Sequence, residues 1–235
     1  MGGMANNYSS YISSQMISLE KKHPDEKRSV NPFVTISRQA GAYGITISRA
    51  LCEYLQKNEK HAQCPWTAFD RELIDKVVEE HHLPEKVLPY LSEATISEIQ
   101  DIMEELFGVH PSQYTLVQKT GETILHLAKL GHVVMVGRAA YIITAKLPGG
   151  VHIRLIGPLE KRVERIQEYY QMDKKKATAF ALTEEQNRKN YVKKYFGKNI
   201  DDPLLYDMVI NTGTLKPQEI IQVIGDFVLK RFSLN

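Results

Sequence analysis

Short continuous apolar runs alternate along the chain with longer stretches whose apolar positions recur every three or four residues. The run Phe33-Val34-Thr35-Ile36 is rich in β-branched residues and predicts a buried strand. After the polar turn from Ser37 to Gly44, residues Ile45, Ile47, Ala50, Leu51, Tyr54 and Leu55 fall at helical spacing. Trp66-Thr67-Ala68-Phe69 predicts a second strand, followed by a helix from Arg71 to Glu80. Leu83 to Tyr114 reads as helical but irregular, interrupted by Pro84, Pro89 and Pro111 and crowded with acidic residues on a solvated face. Leu116 to Leu130 is a cleaner amphipathic helix with Gly131 past its end as a cap.

Val133-Val134-Met135-Val136 is apolar at every position, which predicts a central parallel strand covered on both faces. Val151 to Ile156 is the next strand, and Leu159 to Tyr170 the helix after it. The basic stretch Asp173 to Ala181 and a flexible turn then lead to a second helix from Thr183 to Tyr195. Tyr206 to Asn211 reads as the last strand, and Pro217 opens a helix to Phe232. Strands separated by helices throughout predict a three-layer α/β domain with a five-stranded, mainly parallel sheet. Residues 1–30 read as an arm and linker. Within the main unit, 31–235, residues 83–115 form a helical insertion and 160–196 a lid. The weak helical pattern from Tyr8 to Glu20 suits either a helix packed across the domain or a partner, or a mobile arm.

Composition narrows the function. An apolar fraction of 43% in 235 residues supplies a sizeable core. The formal charge is only +2, with a pI near 8.4, which speaks against a dedicated nucleic-acid binder and fits a small anionic ligand met by a few arginines. Cys52 and Cys64 are too few and too unpatterned for a disulfide framework or a zinc site. No apolar run approaches the roughly 20 residues of a membrane span. The N-terminus shows no signal-peptide pattern, so the expected setting is cytoplasmic.

The chemistry concentrates at strand exits. A glycine-containing turn between strand and helix lets backbone N–H groups converge on an anion, and the helix N-terminus adds unpaired donors. The turn here comprises Arg38, Gln39, Ala40, Gly41, Ala42, Tyr43, Gly44, Ile45 and Thr46. Against the phosphate-loop pattern G-x-x-x-x-G-K-[ST], Arg38 stands at the first glycine and Gly44 at the lysine. Asp70 and Arg71 follow the second strand, where open α/β sheets bind ligands, although Asp70 equally suits a helix cap. Arg138, at the exit of the central strand, points to the same edge. Arg162 and Arg165, three apart on one helix, share a face, and Arg188 lies on the following helix.

Taken in order, the segments Thr35 to Gly44, Phe69 to Ile74, Val134 to Arg138, His152 to Ile166 and Tyr206 to Leu215 resemble the cytidylate kinase-like family of P-loop nucleoside monophosphate kinases. The resemblance implies a P-loop NTPase-type fold, and an ATP-dependent kinase that uses Mg2+ to move the γ-phosphate to a small phosphorylated or hydroxylated acceptor, with a nucleoside monophosphate such as CMP the leading candidate. By position, residues 38–46 would hold the donor phosphates, with Thr46 the magnesium contact. Asp70, Arg71 and Arg138 would bind the acceptor, and Arg138, Arg162, Arg165 and Arg188 would stabilise the transferring group. Phosphoryl transfer rests on positioning and cationic stabilisation, which suits bidentate guanidinium groups. The chain departs from the family at Gly44, where the loop lysine is missing, and at Ala139, where cytidylate kinases carry an aspartate. Those departures motivate the alternative of a nucleotide-binding regulator without catalysis. A homodimer contact is expected through the 83–115 insertion or the N-terminal arm, with no nucleic-acid or membrane partner.

Overall fold

The three most apolar strands form the middle of the sheet, because only residues covered on both faces can be apolar at nearly every position. The computed structural model describes residues 10–17, 30–60, 64–80, 83, 91–108 and 115–234. Five strands, β1 (Phe33–Arg38), β2 (Thr67–Phe69), β3 (Val133–Val136), β4 (Gly150–Ile156) and β5 (Met208–Asn211), lie in the order β2-β3-β1-β4-β5. All four pairings are parallel, so the sheet expected to be mainly parallel is wholly so among the described residues. Register sets Thr35 beside Met135 and His152, and Ser37 beside Arg154.

Helices cover both faces. Residues 10–17 form α1, followed by α2 (Gly44–Asn58), α3 (Arg71–Glu80), α4 (Glu93–Phe107), α5 (Thr115–Leu130) and the short α6 (Ala140–Ile143). Then come α7 (Leu159–Tyr170), α8 (Lys174–Phe196) and α9 (Pro217–Arg231). One core joins α2 and α9 to the sheet through Ile36, Ile47, Leu51, Val136, Ile153 and Ile224. Ile47, Leu51 and Leu55 of α2 are fully buried, each contributing about 1.5–3 kcal/mol. The opposite face packs on α3, α4 and α5 through Phe33, Phe69, Ile74, Ile102, Ile124 and Met135. This is the expected three-layer α/β fold, a five-stranded parallel sheet with helices on both faces.

Two expectations change. The helix placed at 183–195 begins at Lys174, and the flexible turn expected after 173–181 is confined to Gln171–Asp173. Asp173 Oδ1 accepts the Lys176 amide at 2.8 Å, which starts the helix early. Ala177 and Ala181, one turn apart and fully buried, hold that first half against Val163 and Ile166 of α7. The first part of the arm is also docked: Tyr11 Oη donates to the Gly131 carbonyl at 2.7 Å, and Tyr11 packs edge-on against Phe69. The 21–29 linker and residues 84–90 and 109–114 of the insertion lie outside the described residues. Among the described residues no helix is long and apolar enough to cross a membrane.

Two histidines tie stability to pH. Burial pushes both His126 of α5 and His152 of β4 below the ordinary value of 6.5. His126 Nδ1 donates to the Glu122 carbonyl at 2.8 Å, and His152 Nδ1 shares a hydrogen bond with Thr35 Oγ1 at 2.8 Å. The unfolded chain therefore binds more protons below 6.5, so stability is intact above that pH and declines as the medium is acidified through it. Thermal denaturation between pH 7.5 and 5.5 should show a falling midpoint, and His152→Asn with His126→Gln should flatten that slope.

Candidate functional site

The turn after β1 is shaped from outside by arginines that grip its carbonyl groups. Arg162, on α7 and 4% exposed, donates from Nη1 to the Ala40 carbonyl at 3.0 Å and from Nε to the Gly157 carbonyl at 2.7 Å. Its remaining charge is met by Glu185 of α8. Arg165 donates to the Gly41 carbonyl at 3.2 Å and to Thr212 at 3.0 and 2.7 Å, and its guanidinium carbon sits 4.0 Å above the Tyr43 ring. Arg188, on α8, donates to the Arg38 carbonyl at 2.9 Å and to Glu184 at 3.1 Å. Gln39 completes the frame: its side-chain oxygen accepts the Gly157 amide at 2.9 Å.

Of the amides that follow the carbonyls of Arg38, Ala40 and Gly41, Gln39 donates to the Leu155 carbonyl and Ala42 to the Gln39 carbonyl, which leaves that of Gly41. The N–H groups of Gly41, Tyr43, Gly44, Ile45 and Thr46 have no hydrogen-bond partner among the described residues. Gly41 (φ +74°) also lies so close to the Arg162 carbonyl that a Cβ would not fit. Tyr43 holds a left-handed conformation (φ 59°) as the residue before α2, without a side-chain cap. Unpaired donors at the start of a 15-residue helix are groups with which an anion could hydrogen-bond. Ala42 is buried, whereas Ile45 and Thr46 are exposed at the helix start.

The sheet edge adds further charge. Arg138 donates from Nε to Asp75 Oδ1 at 2.8 Å and pairs with its second oxygen. Gly137, Arg138 and Ala139 are three successive left-handed residues, φ 91°, 50° and 54°, a strained stretch typical of sites where position matters more than stability. Asp70 caps α3, accepting the Leu73 amide at 2.9 Å, and stands 3.8 Å from Arg49. Arg71 is exposed and lies 3.9 Å from Asp75, so it shares that carboxylate with Arg138. Burial lowers Arg38 to a pKa of about 9, and Arg188 adds to the effect. Arg188 is lowered by burial in its turn, against the pull of Glu184.

Asp75, Glu184 and Glu185 were missed in the sequence because their partners lie on other turns or other helices. Arg154 was missed too, though a signal existed. Period-two alternation puts His152 and Arg154 on one face of β4, beside Thr35 and Ser37. Arg154, 4% exposed, donates to Ser37 Oγ at 2.9 Å and to Asp201 at 3.0 Å, while its Nε has no partner among the described residues. With Gln39, Asp201, Tyr206 and Asn211 it lines a cavity of about 400 Å³ at the exits of β4 and β5. Thr46 offers an exposed hydroxyl, and no group of three metal-ligating side chains occurs among the described residues.

Residues 33–214 match the model of the cytidylate kinase-like family. A cytidylate kinase from Staphylothermus marinus is 31% identical over 100 residues, 43% of this chain and 56% of that protein. A uronate isomerase from Corynebacterium glutamicum is 28% identical over 102 residues, 43% of this chain but 20% of that protein. The chain thus spans only a part of each of these relatives. An uncharacterised protein from Eubacterium ventriosum shares the fold at a TM-score of 0.56 and 18% identity, covering 84% of this chain and 98% of that one.

The grip on the turn carries a stability signature. Arg162→Met would leave Glu185, itself only 16% exposed, without its cation, at a cost of about 3 kcal/mol. Urea denaturation should record that loss, and adding Glu185→Gln should recover part of it. An arginine reserved for substrate would show no such loss.

Proposed function

The chain belongs to the cytidylate kinase-like family, and we propose that it is an ATP-dependent kinase passing the γ-phosphate to a small phosphorylated acceptor, with a nucleoside monophosphate such as CMP the leading candidate. One observation carries this reading: the amides of Gly41, Tyr43, Gly44, Ile45 and Thr46 have no partner among the described residues, while arginines hold the carbonyls of Arg38, Ala40 and Gly41. A polyphosphate is the ligand that matches a row of backbone donors ringed by guanidinium groups.

In this assignment the turn from Arg38 to Thr46 binds the donor phosphates, and ATP with Mg2+ supplies the transferable group. The Thr46 hydroxyl is the protein's contribution to the metal. Arg138 receives the acceptor phosphate, which exchanges with or joins Asp75, and Asp70 and Arg71 border the same pocket. Arg188 bears on the transferring group from α8. Arg162 and Arg165 act one step back, by holding the turn in the conformation that presents its amides. Preorganised donors need no rearrangement as charge develops, which is where such sites gain rate.

Coupled ADP release across a panel of nucleoside monophosphates tests the assignment. Turnover with at least one acceptor is expected. Arg138→Ala should lower kcat/KM by about 10³-fold while ATP still raises the melting temperature. Protein that is stabilised by ATP yet silent with every acceptor would instead be the nucleotide-binding regulator, a reading that Gly44 at the lysine position favours.

A further inference from the structure

Arg38 is unlike the other arginines of the site. Arg138, Arg154, Arg162, Arg165 and Arg188 each donate to a carboxylate, hydroxyl or carbonyl. The Arg38 guanidinium has no hydrogen bond or ion pair among the described residues, although it is largely covered. Its backbone carbonyl is bound by Arg188, and the charges that act on it from nearby are Arg188, Arg71 and Arg154 against the single carboxylate of Glu184. A covered cation with three cations and one carboxylate near it gains from an anion that binds it directly.

Two glycines explain where the side chain goes. A Cβ on Gly44 would stand 2.8 Å from Arg38 Cγ and 3.2 Å from Cδ, so the stem lies over the first residue of α2. A Cβ on Gly137 would stand 2.6 Å from Nη1 and 3.3 Å from Cζ, so the guanidinium lies over the exit of β3. The side chain thus runs from the turn with the unpaired amides to the residue preceding Arg138. A side chain at position 44 and Arg38 in this conformation exclude one another. The Cγ and Cδ atoms are near the fixed end of the chain and have little freedom to move aside.

We propose that Arg38 is the phosphate-contacting cation of this chain, moved from the helix start to the strand end, and that Gly44 and Gly137 form the channel that admits it. The idea deepens the donor-phosphate assignment above and rests on it. The absence of a lysine at 44 is then the counterpart of Arg38 and not a loss of charge. A guanidinium so placed meets two phosphate oxygens at once and stays charged when an anion is bound. Burial, and after it the nearby Arg188, lowers the pKa of this guanidinium to about 9, and a bound anion would favour its charged form.

The test uses the full chain, with ATP and inorganic tripolyphosphate as probes, and follows melting temperature and affinity. Arg38→Met should raise the melting temperature without ligand, because it removes an unpaired charge. It should weaken both probes by about tenfold to a hundredfold, the worth of a charge-assisted hydrogen bond. Gly44→Lys alone should weaken binding and lower the melting temperature, since two side chains then compete for one space. Arg38→Gly combined with Gly44→Lys should restore tripolyphosphate affinity to near that of the parent. Unchanged affinity in Arg38→Met, or a fall in its melting temperature without ligand, would overturn the proposal, as would a double variant no better than Gly44→Lys. Parent protein that binds tripolyphosphate through Arg38 but phosphorylates no acceptor would sink the kinase assignment and leave this one standing. Parent protein that turns over while Arg38→Met binds ATP equally well would do the reverse. No binding of either probe to the parent overturns both.

Discussion

Guanidinium groups bound to the carbonyls of one turn are the constraint on which the site depends. Within one peptide unit the carbonyl and the following amide point in roughly opposite directions, so the Arg162 bond to the Ala40 carbonyl turns the Gly41 amide the other way, while the Gln39 and Ala42 amides, which follow the other two bound carbonyls, donate to the Leu155 and Gln39 carbonyls. Arg162 takes Ala40, Arg165 takes Gly41 and Arg188 takes Arg38. The turn is therefore shaped by α7 and α8 as much as by its own residues. Ala40 itself is packed with Val163, Ile166, Ala177 and Ala181, so loop and both helices share a small core. Displacing either helix would release the carbonyls and the amides together.

That arrangement assigns two jobs to arginines that look alike in the sequence. Arg162 is sealed, with its charge met by Glu185, and acts as part of the frame. Arg138 is also paired, but its Asp75 partner is 32% exposed and shared with Arg71, so the contact is open to an incoming anion. Arg38 has neither arrangement. The cost of burying it near Arg188, Arg71 and Arg154, only partly offset by Glu184, fits the general pattern in which binding sites hold unfavourable charge that a ligand neutralises. The left-handed run at Gly137, Arg138 and Ala139 stores a second unfavourable element on the same sheet edge.

Much of the fold was legible because it depends on local pattern. The continuous run Val133–Val136 announces a strand covered on both faces, and the 3.6-residue spacing after Gly44 announces α2. The extended start of α8 was not legible, because its basic residues suggest a solvated turn. What decides the matter is that Ala177 and Ala181 meet α7, a contact between segments that sequence spacing cannot register. Asp70 was visible as a cap or a ligand, and its bond to the Leu73 amide accounts for the cap. Arg154 was overlooked although its alternation with His152 was in plain view, since a charge in an apolar strand is easily taken for an edge residue.

By itself the sequence determined the alternation of strands and helices, the position of the turn after β1, and the set of arginines available to it. These follow from spacing and residue type, which are properties of the chain alone. Tertiary structure decided which of those arginines are bound to carbonyls, which to carboxylates, and which to no group among the described residues. Residues 124 positions apart meet at Gly41 and Arg165, and no local pattern encodes that distance. Partnership of charges is a property of three-dimensional neighbours, because solvation and Coulomb attraction depend on separation in space and not along the chain.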